Sequence, residues 1–177
     1  MKTQGGKLAA AVVFVTVYSV VALWGFSDAW AQARGDSFAK QIQGSWLIAS
    51  VVNEKDGLKK DTFGPNPRGF LVLTPNGRFS LIVMSATLPK FASNNRLTGT
   101  PEENQAVIKG SQAMFGTYKI VSAKEGKVLF HYEGCTFPNW DGQDIPRVLS
   151  VTGNEMKMVN PSAAIGGTNY LIWKRAQ

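Results

Sequence analysis

The chain has 177 residues, 44% of them hydrophobic, and a formal net charge of +7, a length that suits one folded domain. Its 18 glycines and 8 prolines call for many turns between short elements, and a single cysteine excludes an internal disulfide framework. The basic excess (Lys55, Lys59, Lys60, Lys90, Lys109, Lys124 and Lys127 among it) falls mostly in predicted loops, without interleaved exposed aromatics, so nucleic acid is not an expected partner.

In chain order, Lys2 and Lys7 precede an uncharged run from Leu8 to Phe26, which is followed by Ala29-Trp30-Ala31 and Ala31-Gln32-Ala33. A basic start, an apolar middle and a small-x-small exit predict a secretory signal peptide over residues 1–33. The run approaches the length of a membrane span, so an uncleaved anchor is the alternative. Both readings export residues 34–177, to the periplasm or beyond, because the lysines stay inside. Membrane contact is expected only through this segment, if it is retained.

Residues 36–43 suit one helical turn before a strand from Gly44 to Asn53. Trp46, Ile48 and Ser50 share one face of that strand and Leu47, Ala49 and Val51 the other, a pattern expected of burial on both sides. Asn53 to Gly57 reads as the closing turn. Phe63-Gly64-Pro65-Asn66-Pro67-Arg68-Gly69 cannot continue a helix or an interior strand. Phe70–Thr74 and Arg78–Met84 then flank Pro75-Asn76-Gly77, a hairpin in which Asn76 and Gly77 are expected at positive φ. Thr100-Pro101-Glu102-Glu103 carries a helix-start signature, with Thr100 as N-cap and Glu103 closing a capping box, and the helix should end near Gly110 to Met114. Further strands are expected at Phe115–Val121, Lys127–Glu133, Ile145–Thr152, Glu155–Val159 and Thr168–Arg175. The total is eight antiparallel strands and one short helix. Such a series closes most simply into an all-β barrel, whose interior is filled by side chains or just wide enough for one small ligand.

Gly44-Ser45-Trp46, Phe63-Gly64-Pro65-Asn66-Pro67, Thr74-Pro75-Asn76-Gly77-Arg78-Phe79-Ser80 and Phe115-Gly116-Thr117-Tyr118 occur in that order, followed by His131, Pro138-Asn139, Gly142 and Arg147. In this order the chain resembles the lipocalin-like domain family of bacterial and fungal proteins, from about Phe38 to Arg175. The resemblance implies an eight-stranded antiparallel lipocalin-like barrel, Arg175 packing over Trp46 to close one barrel end, and by analogy a small apolar ligand; fold alone does not fix function.

Arg147 alternates with Ile145, Leu149 and Val151 on the more apolar face of its strand, and an inward arginine needs either an acid, such as Glu133 or Asp144, or an anionic guest. His131, the single histidine, shares a strand face with Leu129 and Glu133; it reads either as a hydrogen-bonded wall residue or as a group assisting the ligand, and one histidine argues against a multi-histidine zinc site. Tyr118, Tyr132 and Trp140 supply aromatic surface suited to a pocket, with core packing as the alternative. The candidate ligand-binding set is Arg147, His131, Tyr118, Tyr132 and Trp140. No catalytic residue, metal site or cofactor is assigned. The leading expectation is an exported barrel binding a small, largely apolar or amphipathic molecule whose acidic group Arg147 would hold. An isomerase or hydrolase using the same cavity with His131 as acid or base is the alternative, and a filled barrel acting as an envelope interaction module is a third.

Overall fold

A computed structural model describes residues 34–177, and the segment read as signal or anchor lies outside them. Residues 34–42 are helical (α1). The strands are β1 (Gly44–Lys55), β2 (Leu58–Asp61), β3 (Arg68–Leu73), β4 (Arg78–Met84), β5 (Ser111–Ser122), β6 (Lys127–Cys135), β7 (Asp144–Thr152), β8 (Glu155–Asn160) and β9 (Thr168–Arg175). Helix α2 spans Pro101–Gly110 between β4 and β5. Among the described residues no helix is long and apolar enough to cross a membrane.

Every strand pairs antiparallel with its neighbour, and β1 closes the sheet onto β9 from Trp46 to Glu54. The other edge of β1 carries β3 against Gly44–Leu47 and β2 against Val52–Lys55. Since β2 and β3 run the same way along one edge, they form a single interrupted strand, and the closed antiparallel barrel has eight. Closure removes exposed edges and gives each strand one face toward a dry interior. Trp46, Leu71, Leu73, Leu149, Met156 and Trp173 are essentially inaccessible there.

One end is sealed by α1. Ile42 is fully buried, its carbonyl accepts a hydrogen bond from the Trp46 indole at 2.8 Å, and the Arg175 guanidinium lies 4.1 Å from the Trp46 ring centroid. Arg175 also donates to the carbonyls of Gln43 at 2.9 Å and Gln41 at 2.6 Å. It thereby satisfies backbone acceptors that the end of α1 leaves open, where a cation is favoured.

Four local expectations differ. The two faces of β1 are not both buried: a bulge between Ile48 and Ser50 shifts the register, so that Trp46, Ile48, Val51 and Asn53 face in. The Pro75-Asn76-Gly77 hairpin has a three-residue loop in which Gly77 (φ 78°) takes positive φ and Asn76 does not. Pro75 suits the turn that precedes such a glycine. Strand β1 runs on to Lys55, and Asp56-Gly57 alone turns the chain into β2, whose four residues Leu-Lys-Lys-Asp are all exposed and carry no alternation to read. The helix signature at Thr100 forms as a capping box, with Glu103 N–H donating to Thr100 and Thr100 N–H to Glu103. With α1 there are two short helices rather than one.

The two buried indoles differ in one respect. Trp46 donates to Ile42, whereas the Trp173 N–H has no hydrogen-bond partner among the described residues. Replacement by phenylalanine removes similar volume from each, so Trp46→Phe is expected to cost about 1–3 kcal/mol more than Trp173→Phe. Urea midpoints of the two variants check this; equal losses would contradict it.

Candidate functional site

At the end opposite α1, the loops at 62–67 and 161–167, the segment from 85 through α2, and the loop at 136–143 surround the barrel mouth. Asn53 ties one of them down, donating to the carbonyl of Gly166 at 2.9 Å and to the Asn169 side chain at 2.8 Å. Below them lies a cavity of about 30 Å³, lined by apolar side chains including Leu81, Val83, Met114, Met158 and Leu171 and by the polar side chains of Gln112, Asn160 and Asn169. Among the described residues Arg147 supplies its only charge. This volume holds about two water molecules and is far below a drug-sized pocket.

The β7 alternation carries Arg147 inward, and it is 5% exposed. Its Nη1 donates to the Pro146 carbonyl at 3.1 Å and to Asn160 Oδ1 at 2.6 Å, and Nη2 donates to the Tyr132 hydroxyl at 2.6 Å. The guanidinium carbon lies 5.9 Å from the Tyr132 ring and 6.0 Å from the Trp140 ring. Among the described residues no acid pairs with it. Glu133 is held by Arg78 at 2.6 Å, and Asp144 lies 2.8 Å from the His131 ring. Burial pulls the Arg147 pKa below its ordinary value, opposed by the adjacent Tyr132, and burial raises the Tyr132 phenol. A guanidinium still stays charged at neutral pH. The result is a buried cation held by neutral acceptors alone, an arrangement that is unfavourable without a counter-charge.

Aromatic rings line the interior toward this cation. Tyr118 meets Phe130 (6.1 Å between centroids), Phe130 meets Phe79 (4.9 Å), Phe79 meets Tyr132 (5.5 Å) and Tyr132 meets Trp140 (5.7 Å). Tyr132 and Trp140 thus join Arg147 at the cavity. Tyr118 does not: it packs near the sealed end, where its hydroxyl donates to the Thr74 carbonyl at 2.8 Å. His131 does not either. The parity that turns Phe130 and Tyr132 inward turns His131 out, and its side chain is 49% exposed beside Asp144 on the outer wall. An acid or base role for His131 inside the cavity is therefore withdrawn. Trp46 and Arg175 sit together at the opposite end, away from the site.

Sequence reasoning missed Gln112, Asn160 and Asn169. Asn160 was findable by parity, since it follows Met156 and Met158 at two-residue spacing on β8 and is buried with them. The lone Cys135 is half-buried, and burial holds its thiol above the ordinary value. Among the described residues no group of three or more His, Cys, Asp or Glu side chains could hold a metal ion.

Fold and site together define a closed antiparallel container with one cationic group inside. A family model described as lipocalin-like domain matches residues 43–176, and the chain belongs to that family. Among solved structures, a mutant of the fluorescent protein UnaG is similar at 12% identity, covering 78% of this chain and 98% of that one with a TM-score of 0.36. A search of proteins with curated function gave no match.

Arg147→Met removes a buried cation without a counter-charge but also takes a donor from Pro146, Asn160 and Tyr132, so the two effects offset and a net change within about 2 kcal/mol is expected. Loss of more than about 2 kcal/mol in denaturant titration would mark Arg147 as structural. His131→Asn, on the exposed wall, is expected to change stability by about 1 kcal/mol or less.

Proposed function

We propose that this protein is an exported lipocalin-like carrier that binds a small, largely apolar molecule through an acidic group, at the mouth of the barrel. The observation that carries this reading is the buried Arg147 cation, which borders a cavity and has no carboxylate among the described residues. A guest carboxylate supplies the missing charge and charge-assisted hydrogen bonds. The apolar part of the guest lies against Met114, Met158 and Leu171, which line the same cavity. Gln112 on β5 and Asn169 on β9 line the same cavity and offer further amide donors. Export rests on Lys2, Lys7, the Leu8–Phe26 run and the small-residue patterns that end at Ala33.

A second reading has one observation in its favour. A cavity of about 30 Å³ fits a filled barrel whose outer surface serves as an envelope interaction module.

Isothermal titration of the wild type and Arg147→Gln with decanoate and benzoate separates the two. The carrier reading expects at least one anion to bind the wild type and to weaken about tenfold or more in the variant, the loss of a charge-assisted bond. No heat with either anion, or equal affinity for both proteins, favours the filled module. A His131→Ala variant is expected to bind like the wild type, because that ring faces away from the cavity.

A further inference from the structure

Trp140 lines the cavity from the 136–143 loop, as the last residue of a short 3-10 turn at Pro138–Trp140. Its ring meets Tyr132 edge-on at 5.7 Å and 65°, meets Phe137 at 5.6 Å and 85°, and lies 6.0 Å from the Arg147 guanidinium. The loop is fastened at both ends. Thr136 N–H donates to the Ala113 carbonyl at 2.8 Å, Gly142 N–H to the Tyr132 carbonyl at 2.7 Å, and Tyr132 N–H to the Gln143 carbonyl at 3.0 Å. Between these anchors, Trp140 N–H and Asp141 N–H donate to the carbonyls of Phe137 and Pro138 within the tip, and two bonds lead out of it, from Gln143 N–H to the Trp140 carbonyl at 3.0 Å and from Phe137 N–H to Cys135 Sγ at 3.3 Å. Gly142, at φ 73°, sits beside the second anchor with open space around its Cα. The 137–141 tip can therefore move as a unit at the cost of those two bonds, with the strand pairings intact.

A cavity that holds about two waters admits an organic guest only if a wall gives way. Of the two aromatic side chains that loops bring to this cavity, Phe63 is buried, whereas Trp140 is only partly buried and stands against Arg147. Its departure opens a flat slot bounded by the Arg147 cation and the edge of Tyr132, with the apolar side chains of Met114 and Met158 beyond. Arg147 makes three hydrogen bonds to protein acceptors against five N–H donors.

Resting on the carrier reading above, we propose that the Trp140 indole holds the place of the guest in the free protein, and that the guest is a planar aromatic monocarboxylate. An aromatic ring restores the contacts that Trp140 gives up, a face for the guanidinium and a partner for the Tyr132 edge. A single carboxylate neutralises the single cation and takes up its remaining donors. An aliphatic chain replaces neither ring contact, a neutral arene leaves the charge unpaired, and a dianion adds a negative charge with no partner. Trp140 competes with the guest for one position, so weakening this plug raises affinity.

The test is calorimetric titration of the wild type, Trp140→Phe and Trp140→Ala with indole-3-carboxylate, indole and decanoate, with benzoate-induced exposure of Trp140 read by acrylamide quenching against Trp140→Phe. Indole-3-carboxylate is expected to bind the wild type, about tenfold tighter in Trp140→Ala and by an intermediate margin in Trp140→Phe, with indole and decanoate each about tenfold weaker than the aromatic acid. Benzoate should make one tryptophan more quenchable in the wild type only. Unchanged or weaker binding in both variants, or decanoate binding as tightly as the aromatic acid, overturns the proposal while leaving the carrier reading in place. Absence of binding by every anion to all three proteins overturns both.

Discussion

Closure of the sheet between β1 and β9 is the constraint on which the rest of the molecule depends. Once Trp46–Glu54 is paired with Thr168–Arg175, each residue on a strand is either inside or outside the barrel. The side chains that face in lose their water together. Apolar residues gain from this at roughly 25 cal/mol per Å² of surface. Arg147 does not: it follows the same parity as Leu149 and enters the interior as a cation. The barrel tolerates it by surrounding it with neutral acceptors at Pro146, Asn160 and Tyr132. The nearby acids are engaged elsewhere, Glu133 with Arg78 and Asp144 with His131, both on the outer wall. Burying the guanidinium costs desolvation that these three hydrogen bonds offset only in part.

The two ends of the barrel have different physical characters. The sealed end is held by α1, by the stack of Arg175 on Trp46 and by hydrogen bonds to the carbonyls of Gln41 and Gln43. Tyr118 adds a bond to the β3–β4 hairpin on the same side. The mouth is closed by loops, and Phe63 and Trp140 are among the side chains that line the cavity there. The interior rings run between these two regions and stop at Arg147. The sealed end is thus held by the backbone of α1, whereas the segment above Arg147 is a loop anchored at Thr136 and Gly142.

Much of this was legible in the sequence, and the failures have identifiable causes. Eight strands, the capping box at Thr100 and the inward parity of Arg147 followed from period-2 alternation and from turn chemistry, which are local properties. The bulge in β1 was not legible, because Trp46 to Val51 is apolar at nearly every position and cannot report where the register slips. β2 was missed because its order comes from the backbone of β1 rather than from its own exposed side chains. At the site, Arg147, Tyr132 and Trp140 came together while His131 and Tyr118 did not. The facing of His131 was ambiguous because Leu129 and Glu133 on its face point to opposite environments. The length of Tyr118 hid a structural task 44 residues away in sequence, at Thr74.

Native mass spectrometry of the protein purified from its own host tests the central claim most directly, since it weighs the polypeptide and any guest together. The expected species is the polypeptide carrying one small acidic molecule that is absent from Arg147→Gln prepared in parallel. Bare polypeptide from the wild type, or a guest retained equally by the variant, would contradict it.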